Sequence, residues 1–565
     1  MLFSRRRKGL SAVVATAALT LAGLLLAAGL SGCALRPPGG ADLRPVPMRD
    51  PGSTLPAGWQ QGAFMQIFVR AYADSDGDGI GDLRGLIGRL DHLHTLGVRG
   101  LWLMPILANA DGDHGYATTD FRAIAPEYGT LADFDELIQQ AHARGIGVVM
   151  DYVLNHSAAE HPMFIDARRG PGSRFRDWYV WQHEAPQGWE IWGNNPWYAV
   201  ETAPWQHRGE AKDLPPAPGG ARDFYFGTFG PQMPDFNFRH PAVLAYHADS
   251  LRFWLNRGLD GFRLDAVPHL IENSARDWND QPESRALTQQ VQALIKTYAQ
   301  RVSFCEATAE PRDYARPELC GAAFAFGIED QWVKAARGEP EALAKLVAYL
   351  ASAPPTLGLF VSNHDQFAGR RLWDQVGGDE TLYRLVAATY LLMPGTPFIY
   401  YGEEIGQAGA AGLQGDAQIR GPMSWSADAG HAGFSSGRPF RALSSNRASH
   451  HLAAQRADPN SLLAHYKMLL ALRNGHPALA GGSFERPVAA GATLSVQRRL
   501  GAEQLLLTYN YGRSAATLAV AGLPAGARLL PLRPGQAPAP AADAQGASAV
   551  PLAAQSFALW RVAQR

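Results

Sequence analysis

Cysteine is scarce, with three residues in a chain of 565, and that excludes a thiolate-held metal cluster. Charge of one sign is missing too. Lys and Arg number 51 against 52 Asp and Glu, a net charge of −1 with a pI near 7.0, so nothing favours nucleic acid or an anionic surface as partner. No internal repeat of the solenoid type is present. Aromatic residues are not scarce, with 14 Trp, 18 Tyr and 24 Phe, but aromatics fill cores as well as line binding surfaces.

One long apolar run is present. It extends from Leu10 to Leu30, follows the basic group Arg5, Arg6, Arg7 and Lys8, and ends in Leu30-Ser31-Gly32-Cys33. A basic start, an apolar centre and small residues at the exit are the layout of a secretory signal, and the ending resembles a bacterial lipobox, in which the cysteine is lipidated. Residues 1–32 are therefore expected to be a lipoprotein signal peptide, with Cys33 as the lipidated first residue of an exported chain anchored to a bacterial membrane, on its periplasmic face or at the cell surface. The Pro/Gly-rich residues 33–58 read as a tether. Cys305 and Cys320 remain; an oxidising compartment permits a disulfide between them, but two cysteines fix no framework.

From about Gly62 to Tyr401, strand-like and helix-like segments alternate. Strands are expected at "AFMQIFVR", "RGLWLMPI", "IGVVMDYV", "LDGFRLD", "RVSFCEA", "CGAAFAF", "LGLFVSN" and "TPFIYY". They are short and continuously apolar, as parallel strands covered on both faces are. Asp82 to Leu96 reads as one helix stopped by Gly97, and Thr130 with Asp133 as a capping pair for the next. Eight such units predict an α/β fold, a (β/α)8 TIM barrel, spanning residues 59–476. A long aperiodic stretch after strand three, about 157–240, reads as an inserted domain B and carries Trp178, Trp181, Trp189, Trp192, Trp197 and Trp205. Beyond Pro477 the pattern changes to short strands, predicting a C-terminal antiparallel β domain over 477–565, with the Ala/Pro-rich residues 534–555 as a loop.

"DGFRLDAVPHL" (260–270) sets Arg263 and Asp265 two positions apart, on one face of a buried strand. A structural ion pair and a working site explain this equally well on the stretch alone. The other charges decide between them. Asp151, Asn155 and His156 fall at or just after the third strand, Glu306 at the end of the fifth, and His364 and Asp365 at the end of the seventh. In barrels of this kind the active site lies at the C-terminal ends of the strands, and unrelated ion pairs would not all choose that end.

The segments "DYVLNH" (151–156), "GFRLDAVPH" (261–269), "FCEAT" (304–308) and "FVSNHD" (360–365) resemble the four signature regions of the α-amylase family, glycoside hydrolase family 13. "GVRGLWLMPI", "MPDFN" (233–237) and "GTPFIYYGEE" resemble its additional regions, and "MPDFN" is close to the "MPDLN" of an intermediate subgroup that includes lipid-anchored α-amylases. The resemblance implies Asp265 as nucleophile, Glu306 as acid/base and Asp365 as the third carboxylate. Glu306 should begin protonated, and Arg263 should keep the nucleophile ionised. His156 and His364 are implied to bond hydroxyls of one glucose, Tyr116 to stack on it, and Asp113 to hold a non-reducing end as in exo-acting glucosidases. Ala266 resembles α-1,4-acting members, and Pro268 departs from the Lys or Arg often found there.

"DSDGDGIGDL" (74–83) has carboxylates at positions 1, 3, 5 and 9 of an EF-hand-like loop and Gly at position 6, but Gly85 stands where the bidentate glutamate belongs. Similar loops in the family bind calcium, so a structural calcium is expected on Asp74, Asp76, Asp78, the Ile80 carbonyl and Asp82. The family's other calcium site would use Asn155 and Asp235. The function implied is a retaining glycoside hydrolase, α-amylase-like, acting on α-1,4 bonds of an α-glucan or maltooligosaccharide substrate, in a chain expected to be monomeric. An exo-acting α-glucosidase or a 4-α-glucanotransferase is the alternative, and a non-catalytic glucan-binding lipoprotein lies in a different class.

Overall fold

The computed structural model describes residues 40–184, 186–200 and 223–564. The signal segment, Cys33 and Trp205 lie outside the described residues, and among those described no helix is long and apolar enough to cross a membrane. The chain divides into two units, Met1–Leu43 and Arg44–Arg565. The four described residues of the first, 40–43, form no helix or strand. The second is the folded body.

Its centre is a closed barrel of eight parallel strands. These are β1 (Phe64–Ile67), β2 (Gly100–Leu103), β3 (Gly147–Val153), β4 (Gly261–Asp265), β5 (Val302–Cys305), β6 (Ala323–Phe324), β7 (Leu357–Leu359) and β8 (Thr396–Tyr400). Each predicted strand is present, and every residue in them is buried, which accounts for the continuous apolar runs. The barrel is filled largely by aromatic rings. Phe64 stacks on Phe398 with centroids 4.9 Å apart, Phe304 meets Phe398 edge-on at 5.0 Å, and Trp102 packs on Phe324 at 4.8 Å. Glycine makes room for them: a Cβ on Gly100 would lie 2.3 Å from the Phe64 ring, and one on Gly147 2.3 Å from Trp59.

Local signals are reproduced where they are strong. Thr130 and Asp133 form a reciprocal capping box at the start of the helix Leu131–His142. The single helix expected over 82–96 is two, Leu83–Ile87 and Leu90–Leu96, interrupted at Gly88 and ended by Gly97 at φ 101°. A glycine inside a short helix weakens it, and here the break lets each piece take its own direction.

Residues 44–58 do not hang free. Val46 N–H donates to Asp249 (3.1 Å), Arg49 N–H to Asn256 (2.8 Å), and Ala299 N–H to Asp50 (2.9 Å), so this stretch is fastened to the outer helices. The domain after β3 holds a small antiparallel sheet, Trp181–Gln182 and Trp197–Ala199 flanking Phe224–Phe226. Trp178 and Trp197 are buried within it, so these tryptophans build the insertion rather than face the barrel mouth.

The C-terminal region comprises β9 (Glu485–Ala490), β10 (Thr493–Leu500), β11 (Glu503–Asn510), β12 (Ala516–Val520), β13 (Arg528–Pro531), β14 (Ser548–Leu552) and β15 (Ser556–Ala563). Five of them form an antiparallel sheet in the order β9-β10-β11-β15-β13, and β12 pairs with β14. The expected loop over 534–555 thus contains a strand: β14 alternates buried and exposed along "SAVPL" and pairs fully with β12, so its proline sits in a two-stranded edge ribbon. A buried arginine, Arg498, locks this region to the barrel, and another, Arg473, fastens the preceding helix Leu462–Gly475. Arg498 donates to the carbonyls of Leu392 (3.1 Å) and Gly482 (2.9 Å), and Arg473 to those of Leu391 (2.9 Å) and Met393 (3.1 Å). Cys305 and Cys320 are joined in a disulfide, linking the end of β5 to the turn before β6.

Candidate active site

The charged residues from the strand ends meet around one guanidinium. Arg263, in β4 and 2% exposed, bonds Asp151 of β3 at 2.8 Å, Glu306 after β5 at 2.8 Å, and Asp265 two residues along its own strand. Asp265 and Arg263 share a face because strand side chains alternate, and that face looks into the barrel mouth. Immediately after Asp265 the backbone turns into the left-handed region at Ala266, φ 50°, a conformation that costs a non-glycine residue energy and tends to occur at functional sites. The turn delivers the Ala266 N–H to Glu306 Oε2 at 3.1 Å, so the end of β4 and the neighbouring Glu306 carboxylate are positioned by one short loop.

A second layer fixes the ring groups. Gln66 of β1 donates to His364 Nδ1 at 2.6 Å, which places the proton on Nε2 and directs it toward Tyr116 Oη (2.7 Å) and Asp365 (3.1 Å). Tyr116 in turn donates to Asp151 at 3.0 Å, as does the Trp102 indole at 3.2 Å. Burial, reinforced by Arg420, holds the His364 ring well below its usual titration range, and burial pushes His156 down to about 3. Both rings are neutral, and so suited to hydroxyl groups rather than to anions.

The carboxylates outnumber the cations. Burial raises Asp151 to about 6 against the pull of Arg263, and raises Asp365 to about 7 against the pull of Arg420. Asp265 also rests above its ordinary value. Burial dominates there, Arg263 opposes it, and Glu306 and Asp151 add to it. Arg263 favours the ionised form of Asp265, as expected of it, but one guanidinium shared among three carboxylates is outweighed there by burial.

Asp113 stands apart from this network. It pairs with Arg441 at 2.7 Å, and although burial would raise its carboxyl, that pair holds it below the usual range. Arg420 bonds Asp365 (3.0 Å) and the His364 carbonyl (2.7 Å). Neither Arg420 nor Arg441 was marked by the sequence, because both lie in the irregular chain after β8, where no period or motif points to them. Gln66 and Trp102 were hidden inside apolar strands. On the other side of the mouth an aromatic shelf continues outward. Phe229 lies 5.3 Å from His156 and 5.6 Å from His269, His269 stacks on Trp278 at 5.4 Å, and Trp192, 62% exposed, meets both edge-on at 5.5 and 5.6 Å.

Residues 66–482 match the family described as alpha amylase, catalytic domain. The trehalose synthase/amylase TreS of Mycolicibacterium smegmatis is 33% identical over 484 residues, covering 76% of this chain and 79% of that protein. Alpha-amylase 3 of Dictyoglomus thermophilum is 31% identical over 470 residues, covering 80% and 86%. Oligo-1,6-glucosidase of Parageobacillus thermoglucosidasius is 28% identical over 529 residues, covering 80% and 90%. Among solved structures, the α-glucosyl transfer enzyme XgtA superposes with a TM-score of 0.74 at 27% identity, over 90% of this chain and 99% of that one.

The two proposed cation sites differ. Asp74, Asp76 and Asp78 bring carboxylate oxygens within 4.8 Å of one another, a set that fits a hard divalent cation. Asp82 is engaged elsewhere, accepting from the N–H groups of Gly85 and Ser75 at 2.7 Å each as the cap of the next helix. Asn155 and Asp235 meet at the junction with domain B, where the Asn155 side chain bonds the Asp235 carboxyl. Both Asp235 oxygens are taken by Thr228, at 3.1 Å from its N–H and 2.6 Å from its hydroxyl, and burial raises the carboxyl to about 7. A carboxyl raised in the folded state contributes stability fully below about pH 3.9, and this is lost as pH rises through about 7. Asp235→Asn should therefore flatten the decline in unfolding free energy between mildly acidic and neutral pH, by up to roughly 4 kcal/mol, with no dependence on calcium. Urea titrations of both proteins across that range check this; parallel curves would reject the assignment.

Proposed function

Because this chain belongs to the α-amylase family, we propose that it is a retaining glycoside hydrolase cleaving α-1,4-glucosidic bonds of maltooligosaccharides or starch-type glucans. The observation that carries the reading is the single guanidinium of Arg263 bonded to both Asp265 and Glu306, on adjacent strands, with Asp365 across the mouth. Retention requires a nucleophile and an acid about 5–5.5 Å apart, and neighbouring strands tied through one arginine supply that arrangement. Asp265 attacks the anomeric carbon while Glu306 gives its proton to the departing glycosidic oxygen, leaving a β-glucosyl ester. Glu306 then takes a proton from water, whose oxygen replaces Asp265 at the same carbon. Positive charge developing on the sugar favours the ionised form of Asp265, lowering a carboxyl that burial holds up in the free site. Neutral His156 and His364 and the Asp365 carboxyl are placed to bond ring hydroxyls, and Tyr116 to pack on the ring.

The Asp113–Arg441 pair favours an end-acting mode, that of an exo-α-glucosidase, over internal cleavage. A partly exposed ion pair at the mouth would offer hydrogen bonds to a terminal sugar and obstruct a chain continuing past it. The aromatic shelf from Phe229 to Trp192 provides a leaving-side surface where Pro268 supplies no charge. The "MPDFN" motif supports placement in the intermediate subgroup. With maltoheptaose labelled at its reducing end, the first labelled product should contain six glucose units. Fragments of two to four units would establish internal cleavage, and products longer than the substrate a transferase. Asp265→Asn should lower turnover by about 10³-fold or more; undiminished turnover would refute the nucleophile assignment.

We also propose a structural calcium held by Asp74, Asp76, Asp78 and the Ile80 carbonyl, bracing the loop that leads into the helix Leu83–Ile87. Chelation should lower the melting temperature and calcium should restore it. An unchanged melting temperature with no metal in the purified protein would dismiss the site.

Export with lipidation at Cys33 is proposed on the same footing, and the Cys305–Cys320 disulfide supports it, since such bonds persist in oxidising compartments. Cys33→Ala should move the chain from the membrane fraction to the soluble one; an unchanged distribution would count against the anchor.

A further inference from the structure

The catalytic residues occupy the C-terminal ends of the strands, and a second cluster of polar groups lies at the opposite end. Trp59 precedes β1, Arg99 directly precedes β2, and Gly145 lies two residues before β3. Together with Arg473 and Asn474, from the helix Leu462–Gly475, they line a cavity of about 210 Å³. No carboxylate lines it.

The unmatched groups around this cavity are all donors. Arg99 makes no ion pair or side-chain hydrogen bond among the described residues, and its guanidinium reaches to within 3.8 Å of where a Cβ on Gly145 would sit, on the cavity wall. The Trp59 indole N–H is buried without a partner, and so is Nε of Arg473. Arg473 is fully buried, and its terminal nitrogens meet only backbone carbonyls: Leu391, Met393, Gln61 and Gly395. Buried guanidinium groups are ordinarily paired with a carboxylate or another anion. Arg498 makes the deficit larger. Burial and that neighbouring arginine together pull Arg473 down to about 9.

We propose that this cavity binds a small oxyanion of the phosphate or sulfate type between Arg99 and Arg473. Two guanidinium groups and an indole N–H supply charge and directed hydrogen bonds, and a tetrahedral anion has acceptors for all three. Its position sets its role. The walls come from the segment before β1, the start of β2, the helix that ends the barrel, and Pro477 and Ala480 on the way to the C-terminal sheet. A bound anion joins these four pieces at the barrel floor, away from the catalytic mouth, so it stabilises the fold without competing with the glucan.

The test uses the full chain in non-ionic detergent, with inorganic phosphate as probe and sodium chloride at matched ionic strength as control. Phosphate should raise the melting temperature saturably, by about 1–3 °C above chloride, and leave KM for maltoheptaose unchanged. Arg99→Gln should abolish the rise and Arg99→Lys, which keeps the charge, should retain it. No rise above chloride would overturn the proposal, as would an equal rise in Arg99→Gln, or phosphate raising KM for the glucan.

Discussion

The site is organised by a buried arginine that has more carboxylates than it can neutralise. Arg263 touches Asp151, Asp265 and Glu306, each from a different strand or strand end. A lone guanidinium at this depth would be strongly disfavoured, and so would any of the carboxylates alone. Their mutual dependence fixes β3, β4 and β5 in register at the mouth. It also leaves an excess of negative groups, and burial answers that excess by holding protons on the cluster. Asp151 at about 6 and Asp365 at about 7 are signs of that shortage of positive charge.

Everything further out serves to keep that cluster dry and aligned. Gln66 sets the tautomer of His364, and Trp102 and Tyr116 bond the far side of Asp151, so the arginine's partners are themselves held. The strained turn at Ala266 aims an N–H at Glu306, and the disulfide at Cys305 anchors the residue just before it. Below the site the barrel is packed with rings that require Gly100 and Gly147 as neighbours, which keeps water out of the interior. Arg498 fastens the C-terminal strands to the barrel, and Arg473 the helix before them, both through backbone carbonyls. The fold is therefore continuous from the catalytic mouth to the floor, and a change at the floor can alter stability without touching the chemistry.

Strong local patterns were legible in the sequence because they are enforced by short-range physics. Apolar runs of strand length mark strands buried on both faces, Thr130 and Asp133 mark a helix start, and Gly97 a helix end. The three carboxylates could be placed at one end of the barrel because a strand's direction is set once its neighbours are parallel. The interrupted helix at Gly88 and the strand β14 were less visible: one depends on how two short helices pack, the other on a partner strand some thirty residues away. The tryptophans of the insertion read alike in the sequence, yet Trp178 and Trp197 are its core while Trp192 lies open beside Trp278 and His269.

The sequence by itself determined the barrel, its eight strands, the placing of Asp265, Glu306 and Asp365 at one end of it, and the acidic loop at Asp74, because each rests on residues close together in the chain. Tertiary structure alone decided which distant groups complete the site. Arg441 meets Asp113 across 328 positions and Arg420 meets Asp365 across 55, and no periodicity spans such gaps. It alone decided that Asp235 accepts from Thr228, and that Arg99 and Arg473 line one cavity without an acid. Charge balance and hydrogen-bond satisfaction are properties of a neighbourhood in space, and the neighbourhood exists only once the chain has folded.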